Sequence, residues 1–253
     1  LSSLEKVFPD ETPVYRMECQ MLSGLWGETV SFQVAYTGDF VMRERLDVRV
    51  VSELAEHVHV RTVEMVPVGR ATNGIVDDNY LKTTSGLYPD LLKDLKDGKV
   101  IVYSRQWRSL WVDVDITNEI PAGEYEIELQ LIQEGEVVCS ATQKVTVIGT
   151  ELPKLDIMHT EWMHADCLAD YYHVEVFSEE HWKLLENYFQ EYVKRDCNMM
   201  LTPLFTSPLD TAIGLERTTC QLIDVEVKDG EYGFGFEKLK RWIDLCKKCG
   251  IEY

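Results

Sequence analysis

Within seven positions, Glu161, Trp162, His164, Asp166 and Cys167 collect two carboxylates, an indole, an imidazole and a thiol. A second group, Thr202, Pro203 and Phe205 followed by Thr206, Asp210 and Thr211, adds hydroxyls, a phenyl ring and another acid. Carboxylates and hydroxyls hydrogen-bond to sugar hydroxyls, and an indole or phenyl face stacks on the apolar face of a pyranose. Glu161, Trp162, His164, Asp166, Thr202 and Asp210 therefore read as a carbohydrate-binding set. The competing reading is plainer: Trp162 packs against a neighbouring loop, and His164 and Asp166 cap the turn that follows. His164, Asp166 and Cys167 are also metal-ligand types. A zinc or iron site at such close spacing needs a further, distant ligand, and the sequence singles none out. No G-x-G-x-x-G, P-loop, G-x-S-x-G or H-E-x-x-H occurs, so no cofactor is expected.

Both groups fall where strands would end. A short apolar run (Leu155, Ile157, Met158) leads into the first, and Asn198 to Leu204 reads as a strand leading into the second. Ser178 sits at a helix N-cap with Glu179 and Glu180 in the first turn, the end that favours carboxylates. Trp182, Leu185, Phe189, Tyr192 and Val193 then follow at helical spacing. Val225 to Tyr232 reads as a small hairpin broken at Asp229-Gly230. A second helix places Leu239, Trp242, Ile243 and Cys246 on one face and stops at Gly250. Cys246 and Cys249 form a C-x-x-C late in that helix, where buried thiols are expected rather than a redox or zinc pair. Strand, helix, strand, helix and a strand start imply a parallel βα sheet, whose functional groups lie at the carboxyl ends of its strands. A closed (β/α)8 barrel takes about 200 residues or more. The stretch from Pro153 to Tyr253 holds only two to two and a half βα units, so the chain is expected to stop inside its second domain.

The first half has a different period. Val30, Phe32, Val34 and Tyr36 alternate with polar or small neighbours, as do Val112, Val114 and Ile116, and Tyr125, Ile127, Leu129 and Leu131. Such segments bury one face and wet the other, the pattern of antiparallel sheets stacked on a shared core. Pro121-Ala122-Gly123 and Glu134-Gly135-Glu136 supply turns, and only Pro89 to Leu95 reads as helical. The expected organisation is an antiparallel β-sandwich over residues 1–149, followed by an incomplete (β/α) barrel over 150–253.

The 253 residues carry 25 Lys and Arg against 44 Asp and Glu, a net charge of −19. So acidic a surface repels phosphate backbones and anionic lipid, which argues against nucleic-acid and membrane-surface partners. No run approaches the length of a membrane span. Seven cysteines in no framework spacing fit reduced thiols in the cytoplasm better than a disulfide-stapled fold.

Taken together, Thr160-Glu161-Trp162-Met163-His164-Ala165-Asp166-Cys167-Leu168-Ala169, Val176-Phe177-Ser178-Glu179-Glu180-His181-Trp182, Leu201-Thr202-Pro203-Leu204-Phe205 and Pro208-Leu209-Asp210-Thr211 resemble bacterial proteins related to glycoside hydrolase family 123. In the first half, Gly86-Leu87-Tyr88-Pro89-Asp90, Trp111-Val112-Asp113-Val114 and Pro121-Ala122-Gly123-Glu124-Tyr125 agree with the amino-terminal domain of that family. The resemblance implies a sandwich followed by a barrel with exo-β-N-acetylgalactosaminidase activity. It also implies substrate-assisted retention, an exception to the two-carboxylate scheme. The 2-acetamido oxygen of the substrate attacks the anomeric carbon, while an adjacent Asp-Glu pair orients the acetamido group and protonates the leaving oxygen.

No adjacent Asp-Glu pair occurs after Pro153, so no catalytic residue is assigned, and Glu161 is not the family's acid by position. Glu161, Trp162, His164 and Asp166 would be first-strand contributors to the sugar pocket. Two readings follow: the opening part of a hydrolase acting on glycans with β-linked N-acetylhexosamine, or a non-catalytic carbohydrate-binding or interaction module. In either, the open barrel edge calls for cover by a partner copy pairing with it.

Overall fold

A computed structural model describes residues 1–14, 21–39, 44–72, 74, 79–154, 156–206 and 211–253, in two units, Leu1–Pro153 and Lys154–Tyr253. The first unit holds β1 (Met21–Trp26), β2 (Thr29–Tyr36), β3 (Glu44–Val51), β4 (Val58–Val68), β5 (Gly86–Asp94), β6 (Lys99–Val102), β7 (Arg108–Asp115), β8 (Gly123–Gln133) and β9 (Glu136–Glu151). They pair in two sheets, ordered β1-β9-β8-β3-β6 and β2-β7-β4-β5. Alternation decides what lies between them. Leu110, Val112 and Val114 of β7 meet Ile127, Leu129 and Leu131 of β8 and Val145 and Val147 of β9 in one buried core. The turn between β8 and β9 places Glu134 and Gly135 at φ 51° and 89°, the doubly positive pair that a two-residue hairpin of right-handed twist requires.

Three expectations are corrected. Pro89 to Leu95 is not a helix: Gly86–Asp94 is an edge strand on β4, with a bulge between Glu64 and Met65 opposite Pro89. A seven-residue helix cannot sustain itself, whereas β4 offers a long ladder, and proline, lacking an N–H, is tolerated at an edge bulge. The first sheet is not wholly antiparallel, because β1 runs parallel to β9 from Met21↔Lys144 to Leu25↔Ile148. Asp113, on the face expected to be wet, is buried. Ser31 Oγ and Trp111 Nε1 each donate to its Oδ1 at 2.6 Å, and the Arg61 guanidinium pairs with its Oδ2.

The outer edge of β2 is covered by the chain's first residues. The buried Gln33 amide donates to the carbonyls of Ser2 and Glu5 at 3.1 and 2.8 Å and accepts from Ser109 Oγ at 2.9 Å. Every polar group of that side chain is thus matched.

The second unit holds α1 (Ala165–Tyr172), α2 (Glu179–Val193), the hairpin β10 (Asp224–Lys228) and β11 (Glu231–Gly235), and α3 (Glu237–Cys249). The Ser178 hydroxyl accepts from the His181 N–H at 3.2 Å and caps α2. Gly250, at φ 96°, ends α3, with the Ile251 N–H reaching back to the Cys246 carbonyl. Trp182, Leu185 and Phe189 of α2 face Trp242, Leu245 and Cys246 of α3. Ile243, expected on that face, is exposed, and Leu245 takes its place. Burial pushes the Cys246 thiol up to about 12 and raises that of Cys249, so neither is a ready thiolate.

The expected strands of this unit are short extended segments rather than full strands. Residues 198–200 lie between the 157–161 segment and residues 251–253. The Asn198 and Met199 N–H groups bond to the His159 carbonyl, Met200 N–H to Tyr253 carbonyl, and Tyr253 N–H to Asn198 carbonyl. The last two bonds have the slanted parallel pattern. The fold is a largely antiparallel sandwich, with the single parallel pair β1–β9 among the described strands, followed by a partial (β/α) barrel. No helix among the described residues is long and apolar enough to cross a membrane.

Candidate functional site

The first extended segment delivers its residues to the start of α1. Tyr192 of α2 fixes the junction: its hydroxyl accepts the Glu161 N–H at 2.5 Å and lies 2.9 Å from the Glu161 carbonyl, 3.0 Å from the Met199 carbonyl and 3.1 Å from Thr160 Oγ1. Beyond this post the chain turns, His164 takes the N-cap of α1 in extended conformation, and its imidazole makes no capping hydrogen bond. Asp166 follows in the first helical turn, buried, where the helix dipole favours a carboxylate.

A cavity of about 270 Å³ lies at this helix start, walled by Trp162, His164 and Asp166 on one side and Thr202, Pro203, Phe205 and Thr206 on the other. It lies close to the lower end of the range, about 300–1,000 Å³, that small-molecule sites occupy. Four residues of the sequence-read set (Trp162, His164, Asp166 and Thr202) come together here, although Thr202 is distant in sequence. Glu161 does not line the cavity. Its carboxylate is exposed and stands 3.3 Å from His159 Nε2. Asp210 lies outside the described residues. Trp162 keeps 66% of its surface exposed.

Arg217 completes the wall, and sequence reasoning missed it. Its guanidinium grips Asp166 at both oxygens, Nε to Oδ2 at 2.6 Å and Nη2 to Oδ1 at 2.9 Å. Both side chains are largely buried, 13% and 8% exposed. A bidentate pair of this kind is strong and geometrically fixed. Asp166 is thereby an anchor for the loop carrying Arg217, and its negative charge is answered within the wall. Cys220, beside the pair, is a buried thiol pushed up to about 12 by burial, and its N–H donates to Thr206 Oγ1 at 3.0 Å. No three His, Cys, Asp or Glu side chains among the described residues converge as a metal shell would.

His181 supports the same turn from behind. It is fully buried, accepts the Phe177 N–H at Nδ1 (2.9 Å) and faces the Ala165 carbonyl with Nε2 (2.9 Å). That arrangement needs a neutral ring protonated at Nε2. Burial lowers its pKa, against weaker upward pulls from the Ala165 carbonyl and Asp166. The unfolded chain binds the proton more readily, so the contribution of His181 to stability is present above pH about 6.5. It is lost as pH falls from there through the lower folded-state value. Thermal melting scanned downward from pH 7 is expected to show this loss, and His181→Gln, which can both accept and donate, is expected to flatten it. An unchanged pH profile in that variant would remove His181 as the cause.

Residues 162–253 match the family model of the Glycoside hydrolase 123, catalytic domain, the match opening on Trp162. The chain resembles the family 123 glycoside hydrolases. It is similar in fold to such an enzyme from Clostridium perfringens, whose structure gave the details of glycolipid glycan hydrolysis. The two are 15% identical with a TM-score of 0.68, over 92% of this chain and 42% of that one. The chain therefore spans less than half the length of that protein. The N-terminal domain of PorA (10% identity, TM-score 0.28, 58% of this chain and 99% of that one) and AvmM, which catalyses macrocyclization in alchivemycin A biosynthesis (12%, 0.27, 55% and 87%), are too distant to inform the site. No curated protein matches the chain.

Proposed function

We propose that the second unit binds the terminal sugar of glycans ending in β-linked N-acetylhexosamine, N-acetylgalactosamine foremost. The observation that carries this reading is the convergence of Trp162, His164, Asp166 and Thr202 on one cavity at the start of α1, inside the segment that matches the family 123 catalytic domain. The exposed indole offers a face for the pyranose, and the hydroxyl and imidazole offer hydrogen bonds to its rim. Glu161, outside the cavity wall, is a candidate for contact with a sugar that extends beyond it, and Asp210, outside the described residues, completes the set read from the sequence. The glycan of a glycolipid is the substrate class to test first.

Hydrolysis by substrate-assisted retention asks for an oriented acetamido group and a protonated acid beside the leaving oxygen. Residues 154–253 contain no adjacent Asp-Glu pair. The chain of 253 residues is therefore expected to bind a β-N-acetylgalactosaminide without turning it over. Titration of the isotope-labelled chain with methyl β-N-acetylgalactosaminide tests the binding, and release of nitrophenol from the aryl glycoside tests turnover. Trp162→Ala is expected to weaken binding between roughly 10- and 100-fold, about 1.4–3 kcal/mol, the scale of one aromatic contact. Unchanged affinity with an unchanged fold would take Trp162 out of the site.

A further inference from the structure

The two walls of the pocket at the start of α1 grow out of two extended segments. Trp162 and His164 follow residues 157–161, and Thr202 follows residues 198–200. Among the described residues, the backbone-to-backbone bonds that cross between these segments come from the Asn198 and Met199 N–H groups, and both end on the His159 carbonyl at 3.1 Å. A regular parallel pair spaces its bonds evenly along both strands. Bonds that converge on one carbonyl fix where the segments meet and leave the angle between them to side chains. Two side chains take that part, one at each end. At the entry end the Asn198 amide accepts the His159 N–H at 2.8 Å and donates to the Ile157 carbonyl at 3.0 Å. At the pocket end stands Tyr192.

The Tyr192 ring packs, half-buried, against the core of the second unit, while its polar tip reaches out of that core. The residue is itself anchored. Its carbonyl accepts the Arg195 and Cys197 N–H groups at 3.1 and 3.3 Å, so the turn from α2 into residues 198–200 is tied to the residue that carries the hydroxyl. A tyrosine hydroxyl has one proton to give and two lone pairs to fill. The Glu161 N–H fills one lone pair and the Thr160 hydroxyl can fill the other, while the proton lies between the Glu161 and Met199 carbonyls at 2.9 and 3.0 Å. One oxygen therefore joins residue 161, next to Trp162, to residue 199, three positions before Thr202. Tyr192 is not part of the cavity wall.

The geometry points to Tyr192 as a positioning residue for ligand recognition: without touching the ligand, its hydroxyl holds the Trp162 and Thr202 walls at the spacing that accepts one pyranose. The inference rests on the sugar-binding reading of this pocket. The test sets Tyr192→Phe, which keeps the ring in the core and removes one oxygen, against Asn198→Ala, which cuts the clamp at the far end of the same two segments. Methyl β-N-acetylgalactosaminide is titrated into the isotope-labelled parent and both variants, and each is melted. Both variants are expected to lower the melting temperature of the second unit by a similar amount, about 4–8 °C, the scale of one net hydrogen bond in a unit of this size. Only Tyr192→Phe is expected to weaken binding, about 10-fold, and to shift the Thr202 and Phe205 amides of the ligand-free chain. Affinity lost by both variants in step with their melting temperatures would make the hydroxyl a structural group alone and overturn the inference. An unchanged affinity in Tyr192→Phe would overturn it as well, and in either case a parent that binds keeps the sugar-binding reading intact. Failure of the parent to bind would overturn both.

Discussion

Arg217→Met is expected to lower the stability of the second unit by about 3–5 kcal/mol, the cost of leaving one buried charge without its partner. Asp166 would remain enclosed in the wall of the pocket with both oxygens stripped of their donors. The check is chemical denaturation of the variant beside the double variant Arg217→Met with Asp166→Leu. Removing both charges restores apolar packing where the single change strands an ion, so the double variant is expected to recover much of the loss. A single variant as stable as the parent would mean that the pair is solvated rather than enclosed.

Phe189→Ala is expected to cost a similar amount, about 3–5 kcal/mol, by a different route. Phe189 is fully buried on α2 and meets the edge of Trp242 of α3 at 5.0 Å between centroids. Its removal opens a void between the two helices that position the candidate site, and neither helix can close on the other without dislodging Trp182 and Leu185 as well. Phe189→Leu, which keeps most of the volume, is expected to lose far less. Denaturation of the three proteins in urea distinguishes a packing loss from a general loosening, which would change the slope rather than the midpoint alone.

Much of this architecture is legible in the residues because alternation and helical spacing are local signals. Val30 to Tyr36, Val112 to Ile116 and Tyr125 to Leu131 lie in β2, β7 with its continuation, and β8. Asp229-Gly230 is the doubly positive turn of β10–β11. What alternation does not encode is a strand's partner and direction. Nothing in Met21 to Trp26 says that it runs parallel to β9. Nor does it say where polar groups on the outer face cluster, as around Asp113. The same limit governs the site. Trp162, His164 and Asp166 stand out because they are crowded in sequence, and Thr202 because a strand ends there. Arg217 sits in a long loop without periodicity, far from Asp166, and only the folded chain brings its guanidinium to that carboxylate. Pro89 to Leu95 misleads for a related reason, since a short run of leucines fits either period and the choice was made by the open edge of β4.

The pairing of β1 with β9 also sets an order of events during synthesis. Met21 cannot meet Lys144, nor Leu25 meet Ile148, until nearly the whole first unit has left the ribosome. Of the nine strands among its described residues, the first to be made is among the last to find its place. Pairings so far apart in sequence close large loops before they return any energy, which slows folding. Meanwhile β2 and β7, and β3 and β8, must already hold the core. The second unit is spared this delay. Its hairpin closes on a two-residue turn, and α1 and α2 follow one another closely along the chain.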